Sequence, residues 1–243
     1  MTMRVIFFVF LVLSLVTIMF GELEIATATV EATTDVAVLK VYIPYFFGYE
    51  NQEIEGWLNR LVWENTSAFV DEAIREIRNG YRYLKEEGFI DPHRKPLRGE
   101  IYIRGRAYAV NERLVSIAID FYKYVLTAAH GHEERKSFTV DLNDGKILKL
   151  SQLLNLEQRQ IVREEVIKLI KKELHTSKFT PESIESVKRH PLEENFYLTR
   201  DSVVIFFAKY EMTPGYVGIP EFVIPFSKLG IDPEKLTSVM DDL

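Results

Sequence analysis

The chain of 243 residues contains no cysteine. That absence excludes a disulfide scaffold, a thiolate zinc site, a cysteine nucleophile and a lipid-modified cysteine at the amino terminus. An excess of positive charge is also missing, because 30 Lys and Arg face 36 Asp and Glu, which gives a net charge of −6. With no basic arm and no basic run, the sequence predicts no nucleic-acid partner.

Glycine-rich catalytic and phosphate-binding motifs are absent as well. No Gly-x-Ser-x-Gly turn supplies a serine nucleophile, and no glycine-rich loop is present to cradle a phosphate. Apolar residues, in contrast, are plentiful at 47%, and the chain has 16 Phe and 12 Tyr. This composition predicts a packed globular protein and excludes disorder over most of the length.

The amino terminus carries the longest apolar stretch, which follows Arg4 and covers the 16 residues from Val5 to Phe20. This stretch is shorter than the roughly 20 residues that a bilayer core requires. The small residues Ala26-Thr27-Ala28 then match a cleavage site, so residues 1–28 are predicted to be a signal peptide, with a short membrane anchor or a buried helix as alternatives. A signal peptide or an anchor places the rest of the chain outside the cytoplasm, as a secreted, periplasmic or outward-facing anchored protein.

One strand and one long helix are predicted after the cleavage site. Residues 29–35 are rich in Thr, Ala and Glu and are interpreted as a linker. Residues 36–47 are β-branched and aromatic, and Pro44 near their end predicts an edge strand. Apolar residues from Gln52 to Leu84 recur with helical spacing, with a soft spot near Thr66.

Alternating apolar residues then predict an antiparallel meander. Strands covering 101–109 and 115–121 are joined by a three-residue connection at 111–113. The pairing that brings their apolar sets together also places Tyr102 opposite Tyr122 and Arg104 opposite Asp120, on the other face. Further along, Asn143-Asp144-Gly145 has the residues that a tight hairpin turn requires.

The carboxy-terminal half mixes helices with short strands. Helices are predicted over 156–174 and after Thr180, strands over 196–198, 203–208 and 221–225, and a last short helix at 232–234. The run from Val203 to Phe207 is apolar on both faces, which predicts a central strand. The order of elements predicts an α+β fold of antiparallel sheets packed with helices, in two small subdomains covering 36–150 and 151–243.

Three stretches carry a resemblance to one extracytoplasmic bacterial family. They are SFTVDLNDGKILKLSQLL at 137–154, FYLTRDSVVIFF at 196–207 and YEMTPGYVGIPEFVIPFSKL at 210–229. Together they resemble the paired domains found outside the membrane in RsiV-like anti-sigma factors and beside the catalytic domain of PdaC-type peptidoglycan deacetylases. Where that family usually has two glycines before its His-Gly, this chain has Thr127 and Ala128.

The resemblance implies a fold and a compartment rather than an activity. It implies a PdaC-associated α+β domain over 36–150 and an RsiV-like α+β domain over 151–243, both extracytoplasmic. In the anti-sigma relatives the corresponding part recognises lysozyme. The paired domains have no established chemistry of their own to carry over to this chain.

A strand face rich in tyrosine and arginine is the first candidate binding surface. Its members are Tyr102, Arg104, Arg106, Tyr108 and Tyr122, with Tyr124 beside them. Tyrosine rings stack on sugars and proteins, and arginine grips the carboxylates of cell-wall sugars or acidic side chains. The alternative is a packing face, in which the helix over 52–84 covers the rings and Arg104 pairs with Asp120.

The second candidate surface is the loop Tyr210–Pro220, which contains Tyr210, Glu211 and Tyr216. Its alternative is a structural turn, in which Pro214 and Gly215 merely reverse the chain.

His130-Gly131-His132 is a third candidate. Two imidazoles with Glu133 or Glu134 suit zinc, but a turn in which His130 hydrogen-bonds the backbone explains the same residues. We therefore expect no metal and no cofactor.

We interpret the sequence as an extracytoplasmic, non-catalytic binding module of the cell envelope, with peptidoglycan or a protein such as lysozyme as its ligand. One alternative is a hydrolase or deacetylase acting on the cell wall, which would use Glu211 or Glu221 and a metal at His130. Another is a purely structural envelope protein.

Overall fold

The computed structural model describes residues 23–91 and 96–237. The apolar stretch that predicts a signal peptide, residues 5–20, lies outside the described residues. Among the described residues, no helix is both long and apolar enough to span a membrane.

The described residues form two compact units that are interleaved in sequence. The first unit contains the residues up to Gly105 together with Ile119–Glu133, and the second unit contains Arg106–Ala118 and the residues from Glu134 onward. Three strands therefore run from one unit into the other. The boundary at residue 150 between the two expected family domains stays a prediction.

One sheet has six strands in sequential order, β1 to β6. Its strands are β1 (Glu24–Thr33), β2 (Ala37–Phe47), β3 (Gly99–Ala109), β4 (Leu114–Tyr124), β5 (His132–Asp141) and β6 (Ile147–Leu148). A single long helix, α1 (Gln52–Glu86), connects β2 to β3. Because this helix returns the chain to the end of the sheet at which β2 begins, β2 and β3 pair in parallel. The sheet is therefore mixed, and the expectation of purely antiparallel sheets is wrong here.

Two expectations near the amino terminus are wrong. Residues 29–33 are not a linker, because they continue β1, and Ala26–Ala28 pair with Tyr45, Pro44 and Ile43 of β2. Strand β2 is not at the edge, because β1 pairs along one side and β3 along the other. The register with β3 runs only from Ala37 to Tyr42, so Pro44 interrupts no rung of that ladder.

Helix α1 confirms the predicted helical spacing. Asn51 caps its start by accepting hydrogen bonds from the backbone N–H groups of Glu53 and Ile54, both at 3.2 Å. The helix runs without a break through the predicted soft spot at Thr66, which is buried. The Phe69 ring lies 4.9 Å from the Phe121 ring of β4, so α1 packs on the sheet face that carries Phe121.

The second unit confirms the predicted helices over 156–174 and after Thr180 and the three predicted strands, and it adds a short helix that was not predicted. These helices and strands are α2 (Leu150–Leu153), α3 (Leu156–Glu173), α4 (Pro181–Arg189), β7 (Phe196–Leu198), β8 (Ser202–Phe206) and β9 (Glu221–Pro225). Strands β7, β8 and β9 form an antiparallel sheet with β8 in the centre, and every residue of β8 is buried. Val162, Val166 and Ile170 of α3 share one hydrophobic core with Ile205 of β8. The α+β fold class is therefore confirmed.

Asn111 holds the connection between β3 and β4. Its Oδ1 accepts hydrogen bonds from the backbone N–H groups of Arg113 and Leu114, both at 2.9 Å. Its Nδ2 donates to the carbonyl oxygens of Pro233 at 2.7 Å and Leu236 at 2.9 Å. One buried amide therefore fixes a tight turn and, more than 120 residues later in sequence, a carboxy-terminal segment.

We expect Asn111→Ala to lower the free energy of unfolding by about 2–4 kcal/mol, because buried polar groups lose their partners. Urea denaturation followed by circular dichroism measures the change. Asn79→Ala is the matched control, since Asn79 lies exposed on α1, where its side chain accepts a hydrogen bond from the exposed Arg82. A loss equal to that of the control would contradict the role assigned to Asn111.

Lys123 of β4 ties the sheet to α1. Its Nζ donates to Glu72 at 2.8 Å and to Glu76 at 2.9 Å, and it lies 5.7 Å from the centre of the Phe69 ring. Burial alone would lower the pKa of Lys123, but its hydrogen bonds to the two carboxylates outweigh burial and raise it. The hydrogen bond and charge of Lys123 lower the pKa of Glu72.

This pair predicts an acid-sensitive contribution to stability. The pKa of Glu72 in the folded state lies below the ordinary Glu value of 4.5, so its ionised carboxylate stabilises the fold at pH values above 4.5. This stabilisation is lost as the pH falls through the lowered pKa of Glu72. Glu72→Gln should therefore destabilise the protein at about pH 7 and much less at about pH 3. Urea unfolding at both pH values tests this, with the exposed helix residue Glu64→Gln as control. A pH-independent loss would refute the assignment.

Candidate functional site

The tyrosines of the first unit lie on the sheet face opposite α1, which we call the outer sheet face. Lys40 and Tyr42 of β2 pair with Tyr102 and Arg104 of β3, so all four side chains lie on one face. The Tyr42 and Tyr102 rings are 5.9 Å apart, and both Tyr102 and Arg104 are exposed.

Strand β4 adds Tyr122 and Tyr124 to the outer sheet face. They flank Lys123, whose side chain reaches α1 on the opposite face. Burial is the main cause that raises the pKa of Tyr122, and the charges of Glu100 and Glu133 add to it. The alternative in which α1 covers these rings is therefore wrong for the described part of the chain.

Gly131 lies directly against the Tyr122 ring, where any Cβ would overlap its atoms. The neighbouring His130 is exposed, and its Nδ1 lies 3.1 Å from the Gly131 carbonyl oxygen. Within residues 23–91 and 96–237, no group of three or more His, Asp or Glu side chains is arranged to hold a metal ion. The His-Gly pair thus acts as a turn that packs on Tyr122.

Arg106 and Tyr108, predicted on the same strand face, belong to a different cluster within the second unit. We call it the Glu221 cluster. Glu221 of β9 accepts a hydrogen bond from the Tyr197 hydroxyl at 3.0 Å, pairs with Arg135, and lies 3.5 Å from Nη2 of Arg106. The Arg135 side chain is only 7% exposed, so this carboxylate compensates a buried positive charge.

Aromatic rings stack around the Glu221 cluster. Tyr108 and Tyr197 stack at 5.9 Å with an interplanar angle of 12°, and the Arg106 guanidinium lies 5.4 Å from the Tyr197 centroid. Arg135 lies 5.2 Å from the Phe206 centroid. Burial of Tyr197, followed by the charge of Glu221, raises the pKa of its phenol far above the ordinary value, so the hydroxyl stays a donor.

Glu221 therefore has a structural role, because its carboxylate accepts a hydrogen bond from the Tyr197 hydroxyl and faces the guanidinium groups of Arg135 and Arg106. The sequence reasoning missed Tyr197, Arg135 and Phe206. One signal could have found Tyr197, because an antiparallel β7 beside β8 alternates its side chains between a core face and a second face. Arg135 carries no comparable signal, since it is one of several charged residues in β5.

The loop over residues 208–220, which we call the tyrosine loop, contains the predicted Tyr210–Pro220 segment. Glu211 accepts a hydrogen bond from the Ala208 N–H at 2.9 Å, and Nε2 of His190 lies 3.4 Å from its other oxygen. Ser183 of α4 donates to the Met212 carbonyl oxygen at 2.7 Å. Glu211 therefore closes the start of the loop, and buried contacts hold its middle.

Two rings project from this anchored loop. Tyr210 has a positive φ of 70° and is 57% exposed. Gly215 packs against the Tyr210 ring so closely that a Cβ would overlap it. Tyr216 is 73% exposed, and its hydroxyl donates to the Ser177 carbonyl oxygen at 3.0 Å. Tyr210 is thus a non-glycine residue with a left-handed backbone and an exposed ring. Backbone strain of this kind clusters at functional sites.

We expect Glu221→Ala to destabilise the protein by about 2 kcal/mol, because it leaves the buried Arg135 charge without this carboxylate. Glu221→Gln keeps an acceptor for Tyr197 and should cost less. Glu194→Ala serves as the control, since the Glu194 side chain is 75% exposed and lies 3.5 Å from Nζ of the exposed Lys149. Urea unfolding ranks the three variants, and equal stability of all three would contradict the structural role.

The fold and the site together define an α+β domain that displays aromatic side chains. Residues 146–227 match the model of a family described as "Protein of unknown function (DUF3298)". Anti-sigma-V factor RsiV of Bacillus subtilis (strain 168) is 26% identical over 200 residues, which cover 79% of this chain and 64% of RsiV. The chain thus matches less than two thirds of the length of this curated relative.

One solved structure shares the fold. A DUF3298 family member from Bacteroides fragilis NCTC 9343 superimposes with a TM-score of 0.57 at 20% identity, covering 86% of this chain and 93% of that one. A DUF3298 protein from Pseudomonas aeruginosa PAO1 gives 0.48 at 17% identity, covering 86% and 92%. The chain is thus similar to DUF3298 proteins over residues 146–227 and to RsiV over a longer stretch.

Proposed function

We propose that the chain is a non-catalytic, extracytoplasmic binding module of the cell envelope, whose ligand is a protein such as lysozyme. The main support for this proposal is the tyrosine loop, which exposes Tyr210 and Tyr216 while its backbone is held in place. The loop lies within the DUF3298 match at 146–227.

Anchored tyrosines suit protein recognition for an energetic reason. A tyrosine ring brings a large contact area at a small cost in conformational entropy, and a preformed loop adds no ordering cost on binding. Glu211 and Ser183 supply this preformation here. The net charge of −6 further favours association with a basic protein.

Peptidoglycan is the second candidate ligand, and the outer sheet face favours it. Tyr102 offers an exposed ring for stacking on sugars, and the exposed Arg104 offers a guanidinium for a carboxylate. The two ligands are assigned to different surfaces, so separate variants distinguish them.

The enzymatic alternative has less support. Glu221 is held by Tyr197, Arg135 and Arg106, and Glu211 accepts a backbone N–H of its own loop. A general acid or base needs a carboxylate that reaches substrate, whereas both of these already serve the fold.

The test measures retention of the purified protein on immobilised lysozyme and on purified peptidoglycan, with supernatants analysed for sugars and acetate. We expect retention on lysozyme without products. Tyr216→Ala and Tyr210→Ala should each weaken that binding by about tenfold, which corresponds to about 1.4 kcal/mol per displayed ring. Gly215→Ala should weaken it as well, because the new Cβ displaces the exposed Tyr210 ring while the fold tolerates the shift.

Tyr83→Ala is the matched control, because Tyr83 is a comparably exposed tyrosine on α1. Retention on peptidoglycan that is lost in Arg104→Ala and kept in Tyr216→Ala would favour the second ligand. Released sugars or acetate would favour the enzyme. No retention on either material would leave only a structural role.

A further inference from the structure

A basic groove runs along α3, wholly within the second unit and apart from the tyrosine loop. One part, of about 350 Å³, lies between α3 and the segment around Pro191 and Leu192. A second part, of about 460 Å³, continues toward the end of the helix. Glu164 and Ile167 line both parts, so the two form one open groove.

The lining combines an apolar wall with a row of positive charges. Leu156 is 74% exposed at one end, and Ile167 lies half-buried in the middle. The cations of the lining are Arg159, Arg163, Lys168, Lys171 and Lys172, and Glu164 is its one carboxylate. Arg159 pairs with Glu193 and Lys168 pairs with Glu165, so Arg163, Lys171 and Lys172 form the excess of positive charge beside Glu164. This excess stands out on a chain whose net charge is −6.

The cations differ in how firmly they are held. Arg159 lies 3.3 Å from Glu193, and Arg163 donates to the carbonyl oxygen of Val187, so both guanidinium groups have fixed positions. Lys171 and Lys172 are exposed, and neither makes an ion pair with a carboxylate in the described part of the chain. The groove thus has an ordered basic end and two lysines available to an incoming anion.

We propose that this groove binds an acidic, amphipathic peptide segment of a partner protein. Charge complementarity identifies the acidic character, since carboxylates of the segment would meet the row of cations. The exposed Leu156 and the Ile167 wall identify the apolar character, because a purely charged chain leaves this surface in water. Four lining residues lie on one side of α3 because they recur every four positions: Arg159, Arg163, Ile167 and Lys171. An extended or helical segment lying along α3 could contact all four.

Fluorescence anisotropy tests the proposal with the full chain and a labelled peptide of repeating Glu-Leu-Leu-Glu. We expect saturable binding that weakens as salt rises. Lys171→Glu combined with Lys172→Glu should weaken binding at least tenfold, and Leu156→Ser should weaken it severalfold. All three residues are exposed, so the variants should keep the thermal unfolding midpoint of the parent.

Lys149→Glu combined with Lys235→Glu is the control, because it changes the net charge equally at exposed lysines outside the groove. Equal loss in both double variants would overturn the proposal, since only net charge would matter. Equal binding of poly-glutamate or polyphosphate, with no effect of Leu156→Ser, would also overturn it in favour of a polyanion. Failure of the peptide to bind the parent protein would refute it, whatever the lysozyme experiment shows.

Discussion

Burial of β8 on both faces is the constraint on which the second unit depends. Val203 and Ile205 point into the core shared with α3, while Val204 and Phe206 point into the layer that holds Tyr197. One face therefore fixes α3 and leaves its basic side in solvent. The other face forms the packed surroundings of the Glu221 cluster, and the end of β8 leads directly into the tyrosine loop.

The first unit uses one face of its sheet for packing and leaves the other open. Phe121 and Lys123 of β4 bind α1, the latter through two carboxylates. Since side chains alternate along a strand, the same contacts turn Tyr122 and Tyr124 to the outer sheet face. The buried Lys123 thus fixes the face of the sheet on which Tyr122 and Tyr124 lie.

Local patterns predicted most elements correctly. Helical spacing identified α1 and α3, and the Thr180-Pro181 start identified α4. The Asn-Asp-Gly turn identified the β5–β6 hairpin, where Gly145 has a positive φ of 71°. Strand β1 was missed because its alternation uses Ala and Thr, which give a weak apolar signal. The mixed sheet was missed because pairing partners of a strand are decided by packing of α1, which no local window contains.

The sequence by itself determined the α+β class, the absence of cysteine chemistry and the surface loop with Tyr210 and Tyr216. Only the tertiary structure separated Arg106 and Tyr108 from Tyr102 and Arg104, because β3 passes from one unit into the other. Only it joined Glu221 to Arg135 and Tyr197, and Asn111 to Leu236. The reason is physical: these contacts bridge distant stretches of chain, and burial, rather than local spacing, selects the partners.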